Sequence, residues 1–240
     1  VSPALPNGLS IETSTGVISG TPSAAQSSNS YTVTGTGSTS GSATATVSIQ
    51  VLQGSQTITF GTAPTPTYST GGTFAVSATA TSGLPVTYSS LTSGVCNVMS
   101  GSTVSIVTAG TCIVAANQSG NTNWSAATQV TQNISIAQAA QASFTALATP
   151  STISVGGTST ISAFGGSGTG TVSYALVAGS PCGLVGQLLT AVGPGLCTVT
   201  ATNSGDVNYL PTTNNAIVNV NLAPQSTLTV VPSSTSINVG

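Results

Sequence analysis

The sequence predicts an all-β chain made of tandem two-sheet sandwiches, and three observations carry the prediction. Apolar residues alternate with polar ones at a period of two, turn residues recur at short intervals, and a whole pattern repeats every 84 to 85 residues. Taken in chain order, Ala43, Ala45, Val47, Ile49 and Val51 alternate with Thr44, Thr46, Ser48 and Gln50, as a strand with one buried face requires. Phe74, Val76, Ala78 and Ala80 follow the same rule and predict a second strand, and Ala216, Val218, Val220 and Leu222 predict a third. Ser100-Gly101, Ala109-Gly110 and Gly193-Pro194-Gly195 are turn signals between such runs. No segment shows the 3.6-residue stripe of an amphipathic helix.

The repeat is visible from its landmarks. Gln56-Thr-Ile-Thr-Phe60, Gln141-Ala-Ser-Phe144 and Gln225-Ser-Thr-Leu228 mark three starts, 85 and 84 residues apart. Cys112 and Cys197 are separated by 85 residues, as are Gly120 and Gly205, Asn123 and Asn208, and Trp124 and Tyr209. The expected organisation is a partial domain over 1–55, complete domains over 56–140 and 141–224, and the opening strands of a further domain over 225–240. About seven short strands in each 85-residue unit suit a β-sandwich.

Composition removes most functional classes. The chain has no Lys, Arg or His, and its only acids are Glu12 and Asp206. Binding to nucleic acid or an anionic bilayer depends on cations that neutralise phosphate, so neither is an expected partner. No apolar run reaches the roughly 18 residues of a membrane helix, and Val1 opens in mid-pattern, so any export signal or anchor is expected outside the segment. A surface kept soluble by Ser, Thr, Asn, Gln and Gly has little charge repulsion and favours self-association.

Catalysis is not expected. A hydroxyl nucleophile needs a base, and neither His nor Lys is present to serve. Glu12 and Asp206 fall in different repeats, whereas glycosidase carboxylates stand about 5 to 10 Å apart. Gly165-Gly-Ser-Gly-Thr-Gly170 has the composition of a phosphate-cradling loop, but a strand over Thr171–Ala175 follows it in place of a helix, so a hairpin turn is the expectation. Asn117-Gln-Ser119, Asn123-Trp-Ser125 and Asn133-Ile-Ser135 match the N-glycosylation triplet, a match expected by chance in a chain so rich in Asn and Ser.

Cys96 with Cys112, and Cys182 with Cys197, form two close pairs at matched positions of successive repeats. The reading is two disulfides in an oxidising compartment; a four-cysteine zinc site is the rival, but it wants short Cys-x2-Cys elements. Each bridge would close a loop of about 16 residues and stabilise by roughly 3 kcal/mol. Trp124 and Tyr209, each directly after an Asn, are candidate ligand-stacking aromatics; the alternative is an aromatic that pins a loop of its own sandwich.

Val1-Ser-Pro-Ala-Leu-Pro-Asn-Gly-Leu-Ser10, continuing as Ile11-Glu-Thr-Ser-Thr-Gly-Val-Ile-Ser-Gly-Thr-Pro22, resembles the LPxGLSxxxxTGxISGTP signature of a family of bacterial immunoglobulin-like domains. Ser82-Gly-Leu-Pro-Val-Thr-Tyr88 and Gly110-Thr-Cys-Ile-Val114 resemble neighbouring cysteine-containing bacterial immunoglobulin-like repeats. The resemblance implies immunoglobulin-like sandwiches strung in an extended array on large secreted or surface-anchored proteins, with no catalytic residues and no cofactor. Relatives of this kind often use Lys-to-Asn isopeptide bonds or interdomain calcium. This chain has no Lys, and two lone carboxylates make no calcium cage.

The expected function is therefore an extracellular stalk, head-to-tail filament or adhesin of disulfide-stapled domains. The alternative is a carbohydrate-binding or spacer module of a secreted bacterial hydrolase. The expected partner is the chain itself, with surface glycans as a further candidate. Ser234-Thr-Ser-Ile-Asn-Val-Gly240 echoes Ser151-Thr-Ile-Ser-Val-Gly156, so 225–240 of one copy is expected to complete the 1–55 domain of the next by strand addition, or else the segment is a window of one longer repeat chain.

Overall fold

The computed structural model describes residues 1–37 and 41–231, and every regular element among them is a β-strand. The chain divides into two compact units, Val1–Ala137 and Gln138–Gly240.

In the first unit, a short hairpin of β1 (Leu9–Ile11) and β2 (Ile18–Gly20) precedes a long antiparallel pair, β3 (Gln26–Gly37) and β4 (Gly41–Val51). Tyr31 is buried on β3 opposite Val47, and Val33, Ile49 and Val51 are half-buried on the same face. Ala43 and Ala45 lie on that face but are exposed, so the alternation of β4 marks a face covered over only part of its length. Ser2 and Thr32 exchange backbone hydrogen bonds of 2.9 and 2.8 Å, which seats the first residues against β3.

The remainder of this unit is a two-sheet sandwich. Its strands are β5 (Ile58–Phe60), β6 (Thr73–Ala75), β7 (Ala78–Ala80), β8 (Thr87–Ser90), β9 (Cys96–Ser100), β10 (Thr103–Ile106), β11 (Gly110–Asn117) and β12 (Val130–Ile136). One layer holds β5 against β7 and β6 against β10 and β9; the other has the order β12-β11-β8. The single strand expected over 74–80 is broken into β6 and β7 because it changes partner midway. Val76 N–H donates to Ser102 O at 3.0 Å on one side, and Ser77 O accepts from Gly61 N–H at 2.7 Å on the other. Val104, Val114, Ile134, Cys96 and Cys112 are fully buried between the layers.

The second unit repeats the plan with longer strands: β13 (Phe144–Thr149), β14 (Thr152–Ser154), β15 (Thr158–Gly165), β16 (Val172–Leu176), β17 (Cys182–Val185), β18 (Leu188–Ala191), β19 (Gly195–Asn203) and β20 (Thr212–Asn221). Its sheets have the orders β13-β15-β18-β17 and β14-β20-β19-β16. Counting β13 and β14 as one strand that changes sheet, the orders are first-second-fifth-fourth and third-sixth-seventh, the topology of an immunoglobulin constant-type sandwich. Ile161, Leu189, Val199 and Val218 are fully buried at its centre. Burying each such side chain stabilises by about 1.5–3 kcal/mol.

Two further expectations are corrected. Gly165–Gly170 is no hairpin turn, because it joins β15 and β16, which lie in different sheets. Leu222 is not a core residue: β20 ends at Asn221 and Leu222 is 75% exposed, as are most of the apolar residues over 228–231. The echo at Ser234–Gly240 lies outside the described residues.

Candidate functional site: the loop between the last two strands

Both disulfides form, Cys96 with Cys112 and Cys182 with Cys197, and all four sulfurs are thereby used. A zinc site built on these thiolates is ruled out by that bonding. Each bridge runs from the start of the fourth strand (β9 or β17) to the sixth (β11 or β19), and so ties one sheet to the other.

The residues that recur at the 85-residue period converge on one feature, the loop between the sixth and seventh strands. In the first unit the loop turns at Gly120, whose φ of +75° favours glycine and where a Cβ would lie 2.2 Å from Trp124 O. Asn121 Oδ1 then accepts from Asn123 N–H at 2.8 Å and from Trp124 N–H at 2.9 Å, an Asx turn that fixes the tip. The second unit reproduces this with Gly205 at φ +69° and with Asp206 Oδ1 accepting from Asn208 N–H at 2.8 Å and Tyr209 N–H at 3.0 Å.

What the loop holds is the segment that leads into its own sandwich. Gly54 N–H donates to Asn123 O, and Gly54 O accepts from Ser125 N–H, both at 2.9 Å, a parallel bridge that includes Trp124. Ala139 makes the same two bonds with Asn208 O and Leu210 N–H, also at 2.9 Å. Side chains add to the grip at the same period. Gln53 Nε2 donates to Asn121 O and Gln138 Nε2 to Asp206 O, at 2.7 and 2.6 Å; Gln56 Nε2 donates to Ser125 O and Gln141 Nε2 to Leu210 O, at 2.7 and 3.0 Å. The glutamines that mark the repeat starts are therefore the residues that lace the entering chain to the loop.

The two clasps differ in charge. Asp206 Oδ2 also accepts from the Thr169 N–H at 2.8 Å and the Thr169 hydroxyl at 3.1 Å. The Thr169 amide foremost, then that of Asn208, hold the Asp206 carboxyl below its ordinary value; burial opposes them, and the Tyr209 amide and Thr169 hydroxyl add smaller pulls downward. This contact between the two loops accounts for one glycine of the 165–170 stretch. A Cβ on Gly170 would lie 2.0 Å from Gly205 O, so bare backbone is needed where the two loops meet there. Glu12, the other acid, accepts from the Ser14 hydroxyl at 3.0 Å in the turn between β1 and β2.

Trp124 is half-buried, and its ring lies on Gly54, where a Cβ would stand 2.9 Å from Cζ3. Tyr209 is half-buried at the matched station, and there the entering residue is Ala139. Of the three triplet asparagines, Asn117 Oδ1 accepts from Gln129 Nε2 at 2.8 Å, Asn123 Oδ1 from Ala25 N–H at 3.0 Å, and Asn133 is exposed on β12.

Strand order and the inter-sheet disulfides define the class: the chain consists of tandem immunoglobulin-like β-sandwich domains. Residues 1–52 match the model of the family described as "Putative Ig domain". No curated protein matches the chain. Among solved structures, it is similar to mouse cadherin-23 EC22-24, with 15% identity and a TM-score of 0.33 over 82% of this chain and 74% of that one. It is also similar to the D00-D0 domain of intimin, with 15% identity and a TM-score of 0.31 over 69% and 98% of the two chains. Domains 1-6 of the surface layer protein SbsC give 15% identity and a TM-score of 0.30 over 90% and 35%.

Proposed function

We propose that the chain is an extracellular structural and adhesive element, a stalk or filament segment in which disulfide-stapled immunoglobulin-like domains follow one another with no free linker. The observation that carries this reading is the repeated clasp. In both units the residues that would serve as a flexible connection, Gln53–Gln56 and Gln138–Gln141, are hydrogen-bonded to the loop of the domain they enter. A chain that commits its connecting residues in this way restricts bending between domains.

The two inter-sheet disulfides support an oxidising, extracellular setting. The function needs no catalysis and no cofactor, and the chain brings neither Lys nor His to supply a base. Its working partners are further domains of the same kind, in the same chain or in neighbouring copies. Electron micrographs of the purified chain test the reading: elongated strings of domains or ordered polymers support it, and single compact particles overturn it.

A further inference from the structure

The loop tip does more than hold its own entering strand. We propose that residues 121–125 form a docking surface for the immunoglobulin-like domain that precedes the loop's own sandwich, and that Asn123 and Trp124 set the angle at which the 1–52 domain sits on it. The inference rests on the reading of the chain as a tandem array.

Three observations converge on this. The Asn123 side chain is not spent on its own loop. Its Oδ1 reaches out to accept from the N–H of Ala25, in the connection between β2 and β3 of the preceding domain, at 3.0 Å and across 98 residues of sequence. That amide lies one residue before β3 begins at Gln26, so the asparagine supplies an acceptor where the ladder does not yet provide one. Next, Trp124 forms one wall of an open groove at the neck between the two domains, and the other walls include Pro22, Ala25, Val51, Leu52 and Gly54. An aromatic plate there presents apolar area to the preceding domain at low cost in side-chain freedom.

The third observation is the match between the ring and the residue beneath it. Under Trp124 the entering residue is Gly54, where a Cβ would lie 2.9 Å from Cζ3 and 3.0 Å from Cε3. In the second unit the bridged pair is Ala139 with Tyr209, a larger entering residue opposite a smaller aromatic. The bulk of the ring and the bulk of the entering residue trade against each other between the two clasps, as expected if backbone and ring must meet at a fixed separation. Gly54 follows the 1–52 domain by two residues, so a ring seated on it stands at the exit of that domain.

The test uses the full chain and its only tryptophan. Amide hydrogen exchange at Ala25 and quenching of Trp124 fluorescence by acrylamide are measured for the wild type, Asn123→Ala, Gly54→Ala, and Gly54→Ala combined with Trp124→Tyr; the last is followed by exchange alone. Asn123→Ala is expected to speed exchange at Ala25 by about tenfold or more and to raise Trp124 quenching, while core amides such as Val114 and Ile134 keep their protection. Gly54→Ala is expected to have the same two effects, and Trp124→Tyr to restore slow exchange at Ala25. The proposal is overturned if Asn123→Ala changes Ala25 exchange less than about twofold, or if the double variant exchanges as fast as Gly54→Ala. Either result would leave elongated particles in micrographs unaffected, so failure of the docking surface is distinguishable from failure of the array.

Discussion

Replacing both cysteines of one domain by alanine separates the two disulfides energetically. The bridges close loops of 16 and 15 residues, and loop-closure entropy assigns each about 3 kcal/mol. Their surroundings differ. Cys96 and Cys112 are both fully buried, whereas Cys197 is buried and Cys182 is half-exposed beside Pro181. Removing a packed sulfur leaves a small void worth roughly 1 kcal/mol, so Cys96→Ala with Cys112→Ala costs about 5 kcal/mol and Cys182→Ala with Cys197→Ala about 4. Domains of this size are stable by about 5–15 kcal/mol, so the first variant stands near the limit of folding. Guanidinium melts of the full chain read the difference, because Trp124 fluorescence reports the domain that holds Cys96 and exchange of the Val199 and Val218 amides reports the other. Under a mild reductant, mass mapping should find Cys182–Cys197 opened first. A cost below about 1 kcal/mol for the first pair, or earlier reduction of Cys96–Cys112, would refute the argument from loop closure and burial.

Three further outcomes follow from the loops and the composition. The Asp206 carboxyl is held below its unfolded value, so its contribution to stability is complete above about pH 4 and is lost as the pH falls through the folded value. The melting temperature of the second unit should therefore be flat from about pH 5 to pH 8 and fall in acid, and Asp206→Asn should flatten the acid limb; a large slope between pH 5 and pH 8 would contradict this. Gly205→Ala and Gly156→Ala both place a Cβ at positive φ, +69° and +86°, for about 1 kcal/mol each. Only at Gly205 does the new atom stand 2.3 Å from a carbonyl, that of Tyr209, so thermal melts should show that variant weaker by at least about 2 kcal/mol more. Lacking Lys and Arg, the chain should keep its intact mass after trypsin treatment even when unfolded by heat.

The fold was legible because its signals are local. Alternation over 43–51 and 216–220 reports which face of one strand meets the core, and the cysteines stand at the same station in each repeat. The interruption at Val76 and Ser77 was hidden, since an alternating pattern is unchanged when a strand swaps its partner on the same face. The clasp left only indirect traces. Gln56, Gly120, Asn123 and Trp124 repeat with the period, yet the hydrogen bonds that explain them go to backbone atoms about 70 residues away, and backbone atoms carry no sequence. Gly170 could have been read as a point of close approach by two loops. Composition alone does not separate that from a flexible turn.

Among the described residues, every parallel pairing joins the chain entering a domain to the stretch leaving it or to the loop just before that stretch. These pairings are β14 with β20, Thr67 with Ala137, Gly54 with Trp124 and Ala139 with Tyr209. Parallel neighbours at opposite ends of a domain are drawn past one another when its ends are pulled apart. Their hydrogen bonds then carry tension together in shear, whereas an antiparallel hairpin would unzip one rung at a time. If the clamp gives way, the disulfide withholds the residues between its cysteines from extension, about 50 Å of contour per domain at roughly 3.4 Å per residue. Under load such a domain would yield late and lengthen by about a sixth less than its residues allow.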